Sequence, residues 1–204
     1  MRIYLAGPLG FSEAGRHFCA SVLLPFLRRL GHHVVDPWSL TEPRAIEAVR
    51  RLSPGPRRER AWARINREIG AGNRAAIDGA EAVVAVLDGP DVDSGTASEI
   101  GYAFARGKRI VGYRGDYRVS ADNEGSAVNL QVEYFIRESG GTIVHRYEDL
   151  PGGLAPRRSR PARPGVGRHA SAPRRAPEGS AAPRTHGTRR TLAPTRTHAG
   201  GGTR

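Results

Sequence analysis

The chain has 204 residues, a formal net charge of +12 and one cysteine, Cys19. A lone cysteine excludes an intrachain disulfide framework, and no apolar run approaches the ~18 residues of a membrane span. The charge does not make the whole chain a nucleic-acid binder: residues 151–204 hold 12 arginines against one acid, Glu178, whereas residues 1–150 hold 20 basic and 19 acidic residues.

From the N-terminus, RIYLA (2–6) reads as a short buried strand. The chain enters it directly from Met1, with no long apolar stretch or cleavage site, which together with the lone thiol predicts a cytoplasmic protein. Residues 12–31 are helical in pattern, with Ser12 as N-cap, Gly31 as stop and Pro25 expected to kink or split the helix. Cys19 falls on its apolar pattern and reads as a packed thiol. HVVDP (33–37) reads as the second strand. Helical patterns over 43–52 and 59–79 flank the breaker SPGP.

AVVAVLD (82–88) is small, β-branched and apolar on both faces, as a central parallel strand should be. A helix over 94–107 stops at Gly107, RIVGY (109–113) is the fourth strand, a helix spans about 128–139, and TIVH (142–145) is the fifth strand. This β-α alternation predicts an α/β fold, a doubly wound sheet of about five mainly parallel strands with helices on both faces. Residues 151–204 contain no aromatic residue and two leucines, Leu154 and Leu192. Such a segment buries too little apolar surface to offset chain entropy, so disorder is expected. Its scattered arginines leave two readings: a passive extension, or an electrostatic arm for nucleic acid or an acidic partner.

In open parallel sheets, ligands bind beyond the carboxyl ends of the strands. AGPLGF follows the first strand, where Gly7 allows close approach to a ligand. DGPDVDSGTASE follows the third strand and RGDYR the fourth. AGPLG lacks dinucleotide-fingerprint spacing, so no nicotinamide or flavin cofactor is expected. His17, His32, His33 and His145 show no metal-ligand spacing, so no metal is expected either. Asp93 or Ser94 can cap the following helix, and the small residues Gly95 to Ser98 leave space beside Glu99. Glu99 lies within about two turns of the positive helix end, which favours its ionised form. Residue type alone leaves Glu99 open, either as a solvated surface acid or as a carboxylate able to attack an anomeric carbon. Tyr4 on the first strand is expected in the core, where its hydroxyl needs a partner. A carboxylate at the same sheet edge is one candidate.

Four segments, IYLAGP (3–8), NRAAIDGAEAVVAVLDG (73–89), DSGTASEIGYAFARGK (93–108) and VNLQVE (128–133), resemble the nucleoside 2-deoxyribosyltransferases over residues 1 to about 146. The resemblance implies a flavodoxin-like catalytic domain over 1–150, acting on small nucleosides and nucleobases. It implies double displacement at C1′ of a 2′-deoxynucleoside, with Glu99 as nucleophile and Tyr4 orienting it. Asp93 would hold the sugar hydroxyls. Asn129 would reach the 5′-hydroxyl from a neighbouring subunit, which implies a homo-oligomer with shared sites. Where some members carry an aspartate that protonates the departing base, this chain has Asn73, an amide without a proton to deliver. Either Asn73 only recognises the base or another acid acts, and Asp78 is close in sequence. An alternative in the same superfamily is hydrolysis of deoxynucleoside 5′-monophosphates, which needs a phosphate pocket; Arg114 and Arg118 are candidates for it, the favoured reading being that they are solvated or paired with Asp116. A third reading is a nucleotide sensor without turnover, docked on nucleic acid through the basic tail.

Overall fold

The computed structural model describes residues 1–118 and 120–155. Strand β1 (Arg2–Ala6) pairs on one side with β2 (His33–Val35) and on the other with β3 (Ala82–Val86). Next come β4 (Arg109–Tyr113) and the two-residue β5 (Ile143–Val144), giving the order β2-β1-β3-β4-β5 with every pair parallel. This is the flavodoxin-like order, and the chain direction switches between β1 and β3.

Alternation along the strands divides two cores. Tyr4, Ala6, Val83 and Ala85 face helices α4 (Pro56–Asp78), α5 (Ser94–Ala105) and α6 (Leu130–Glu138), meeting Ile77, Ile100 and Ile136. Ile3, Leu5, Val84 and Val86 face the opposite side, meeting Leu23 and Leu27 of the N-terminal helical run and Leu150 and Leu154 of α7 (Leu150–Leu154). Each fully buried side chain of this kind contributes about 1.5–3 kcal/mol. β3 is buried at all five positions, as its composition predicts.

The helix expected over 12–31 is neither kinked apart nor uniform. It runs as α1 (Glu13–Phe18), a π-helical segment (Cys19–Leu23) and α2 (Leu24–Arg29). Pro25 has no amide hydrogen to donate and its ring crowds the carbonyl four residues back. Widening the preceding turn, with the Leu24 amide donating to the Cys19 carbonyl, accommodates the ring without ending the helix. Cys19 is buried, as expected. Pro37 ends β2 early, since Asp36 caps a 3-10 turn over Pro37–Ser39 by accepting from the Trp38 amide at 3.1 Å.

The described fold continues past residue 150. Leu154 packs in the second core and Arg109 donates to the Leu154 and Ala155 carbonyls. From residue 156 the tail, with the disorder and nucleic-acid contact expected of it, lies outside the described residues. Among the described residues, no helix is long and apolar enough to cross a membrane.

Candidate active site

Tyr4 is the third residue of β1 and points into the core under α4 and α5, where it is fully buried. Its hydroxyl donates to Glu99 Oε1 at 2.6 Å, so the partner that a buried tyrosine requires is the carboxylate of α5. Asn73 of α4 donates Nδ2 to the same oxygen at 3.3 Å. Three elements thus converge on one carboxylate. Glu99 accepts both contacts, so the amide nitrogen of Asn73 must face it and Oδ1 must face away.

Asp93 is the N-cap of α5. Its Oδ2 accepts from the Thr96 amide at 2.9 Å and the Thr96 hydroxyl at 3.0 Å, which leaves Oδ1 outside the cap. Gly107, at φ 66, ends this helix through a left-handed residue that glycine adopts without strain. Burial raises the Glu99 pKa above the ordinary glutamate range and Asp93 adds to the rise, while the donors Tyr4 and Asn73 act in the opposite direction. The net direction differs from the expectation based on the helix end alone. A dipole contribution screened near the surface is outweighed by removal of the carboxylate from water. Burial and the adjacent carboxylate push the Tyr4 hydroxyl far up, so it stays protonated as a donor.

Glu99, Asn73, Asp93 and Gly7 all line one cavity of about 270 Å³. Its remaining wall is largely apolar: Phe11, Trp38, Ile46 and Ile69, with Thr41 beside them. Phe11 and Trp38 meet edge-to-face at 4.6 Å, yet remain 72% and 46% exposed, so two large rings present unfilled apolar surface to the cavity. Trp38 is fixed by its Nε1 donating to the Gly7 carbonyl at 3.3 Å. Gly7 and Gly10 are needed for close approach. A Cβ on Gly7 would lie 2.9 Å from Val86 Cβ, and one on Gly10 would lie 2.0 Å from the Trp38 ring. Sequence reasoning missed Trp38 and Phe11. The segment after β2, the strand beside β1 at the switch point, carried the signal for Trp38.

Other candidates lie elsewhere. Asp78 ends α4, where its carboxylate accepts from the Tyr102 hydroxyl at 2.9 Å and Arg106 Nε at 2.8 Å, and those contacts hold its pKa down. It does not line the cavity. Asn129 caps α6, its Oδ1 accepting from the Gln131 and Val132 amides, and it too is outside the cavity wall of its own chain. Arg114 is buried and donates to the carbonyls of Leu87, Gly89 and Arg118. Arg118 is paired with Asp116. Neither arginine lines the cavity, so neither is placed to hold a phosphate there.

The family model described as nucleoside 2-deoxyribosyltransferase matches residues 3–131. Among curated proteins, none matches the chain. Among solved structures, a conserved protein from Enterococcus faecalis V583 is 24% identical, with 75% of this chain and 96% of that one covered and a TM-score of 0.54. A 2-deoxyribosyltransferase from Bacillus psychrosaccharolyticus is 22% identical, with 74% and 90% covered and a TM-score of 0.51. A 2-deoxyribosyltransferase from Leishmania mexicana is 23% identical, with 74% and 94% covered and a TM-score of 0.50.

Proposed function

The chain belongs to the nucleoside 2-deoxyribosyltransferase family, and from that premise we propose that it transfers 2-deoxyribose between nucleobases, with Glu99 as nucleophile. The observation that carries this reading is the Glu99 carboxylate, held by Tyr4 at 2.6 Å and Asn73 at 3.3 Å against a cavity with an aromatic wall. A carboxylate fixed by two donors and facing open space is arranged to attack carbon.

In this reading, a Glu99 oxygen bonds to C1′ of a 2′-deoxynucleoside as the C1′–N bond breaks and its electron pair leaves with the base. A second base nitrogen then attacks C1′ as the C1′–O bond breaks with its pair returning to Glu99, and the N–H proton of the incoming base passes to water. Two inversions give overall retention. Asp93 accepts a sugar hydroxyl on Oδ1, the oxygen that the helix cap does not use. The base lies against Phe11 and Trp38, whose exposed faces suit a planar ring. Asn129 of a second copy completes the site in a homo-oligomer, which is consistent with its absence from the cavity of its own chain. Water competing for the same intermediate would give hydrolysis. Base release with no acceptor, from deoxynucleoside and from deoxynucleoside 5′-monophosphate, measures that fate.

The test is incubation with deoxyinosine and adenine, with deoxyadenosine as the expected product. Peptide mass should place a trapped deoxyribosyl adduct on Glu99. Absence of exchange with every purine and pyrimidine pair, with Glu99→Ala behaving as wild type, overturns the reading.

A further inference from the structure

Any bond that Glu99 breaks must lie close to Glu99, so the groups around that carboxylate decide how the base departs. Among the described residues, the cavity wall holds two carboxyl groups, Asp93 and Glu99. Glu99 is occupied as the nucleophile. Asp93 accepts two hydrogen bonds on Oδ2 and is committed to the helix cap. The Tyr4 proton is already donated to Glu99, and the Thr96 hydroxyl donates to Asp93. The third group at the reacting centre is Asn73, whose amide hydrogens cannot be delivered at any ordinary pH. The two further acids equally near on α4 are paired elsewhere, Asp78 with Tyr102 and Arg106 at the C-terminal end of the helix and Glu68 with Arg64.

We propose that this site breaks the glycosidic bond without a protein acid, and that Asn73 therefore confines the enzyme to donors whose base leaves readily as its anion. This rests on the reading of Glu99 as nucleophile. The bond between C1′ and the base nitrogen breaks with both electrons going to the base. The anion is protonated afterwards by water. Asn73 holds Glu99 and lies beside the breaking bond, but adds no proton to the leaving group. Donors are thus ranked by the acidity of the conjugate N–H. Bases that hold negative charge on ring carbonyls transfer well, and a base such as cytosine, a poor anion, transfers badly.

Replacing the amide by an acid reverses this selectivity. In Asn73→Asp the new carboxyl lies beside the Glu99 carboxylate, and two acids so close share a proton, which keeps one in the acid form. A positioned acid of this kind contributes about 10²–10⁴-fold.

The experiment measures release of the leaving group by wild type, Asn73→Asp and Asn73→Ala. Donors are 4-nitrophenyl 2-deoxyribofuranoside, thymidine and deoxycytidine. Wild type should show a steep fall in rate as the leaving group becomes more basic. Asn73→Ala should keep that slope with a uniform loss. Asn73→Asp should raise the rate on deoxycytidine relative to the 4-nitrophenyl donor by about 10²–10⁴-fold over the wild-type ratio, and gain an alkaline limb in its pH profile on deoxycytidine. A wild-type rate that is flat across the series overturns the proposal, because a proton is then being supplied. So does an Asn73→Asp variant that forms the Glu99 adduct yet shows the wild-type ratio of deoxycytidine to 4-nitrophenyl rates. If even the 4-nitrophenyl donor leaves no adduct on Glu99 in wild type, the nucleophile assignment itself fails.

Discussion

Replacing Tyr4 by Phe removes one oxygen from a fully buried strand position and leaves the ring packing in place. The lost contact is the 2.6 Å bond to Glu99 Oε1, within the range of a hydroxyl donating to a charged acceptor. Such bonds contribute about 1.5–3 kcal/mol, or about 10–150-fold in rate. The loss should not be uniform with pH. The Tyr4 donor favours the ionised form of Glu99, against burial and Asp93, which both oppose it. Removing the donor leaves burial less opposed, so the acid limb of kcat/KM moves to higher pH. The largest deficit then falls at low pH and narrows as pH rises. Initial rates of base exchange between about pH 4 and 9 test this, with the adduct mass confirming that Glu99 still reacts. Profiles of wild type and Tyr4→Phe with the same acid limb, differing only by a constant factor, would refute the electrostatic part of the argument. Equal rates would refute it entirely.

Glu99→Gln should form no deoxyribosyl adduct, yet melt higher at pH 7. A carboxyl whose folded pKa is raised supplies its full stability below the ordinary glutamate range and loses it as pH rises through the folded value, so the neutral amide relieves a penalty. A gain of about 0.5–2 kcal/mol, or about 2–4 °C per kcal/mol, should shrink at pH 4, and a melting curve indifferent to pH speaks against it. Asp78→Asn should leave exchange intact. Because contact with Tyr102 and Arg106 depresses the Asp78 pKa, its contribution is present above the ordinary aspartate range and lost as pH falls through the folded value. The variant should therefore be less stable than wild type at pH 7 and converge with it in acid, as thermal melts at both pH values would reveal. Asn129→Ala removes the α6 cap and should cost about 1 kcal/mol by denaturant titration, with an unchanged midpoint counting against the cap. Gly10→Ala pushes a methyl into the Trp38 ring, so Trp38 must leave its seat. The base KM should rise with a change in tryptophan emission, and unchanged KM despite altered emission would remove Trp38 from base binding.

The sheet was legible because its signals are local. β3 is apolar at every position and β1 alternates between two cores, so strand type and burial follow from composition. The pairing of Tyr4 with Glu99 was legible as a need, since a buried hydroxyl requires a partner. Its length and its second donor, Asn73, depend on how α4 and α5 meet, which no local pattern encodes. Asp78 shows the converse. Five residues beyond Asn73 looks close in sequence, but along a helix it is about 7.5 Å, enough to move a carboxylate out of the cavity and into a pair with Arg106. The π segment was invisible for a similar reason: Pro25 predicts that a helix is disturbed, while the surrounding leucines, buried on one core, decide that it bends its hydrogen bonding instead of ending.

The charge on Glu99 brings these points together. Read from the sequence, the helix start favours the anion; in the fold, burial disfavours it and prevails, leaving the two donors to restore part of what burial removes. That balance suits a nucleophile better than either extreme. A carboxylate fully stabilised by a helix end and water would be a poor attacking group, because it would have to shed that stabilisation on bonding to carbon. One held above its ordinary pKa by a dry wall is less solvated and more reactive, provided enough of it is ionised at working pH. Tyr4 and Asn73 oppose that rise with two contacts, and the longer of these, at 3.3 Å, comes from the residue proposed above to lie beside the leaving base. A site that keeps its nucleophile ionised with an amide has no acid in that position to offer the base. On the proposed reading, one residue, Asn73, bears on both nucleophile activation and leaving-group selectivity, and a single substitution there should move both.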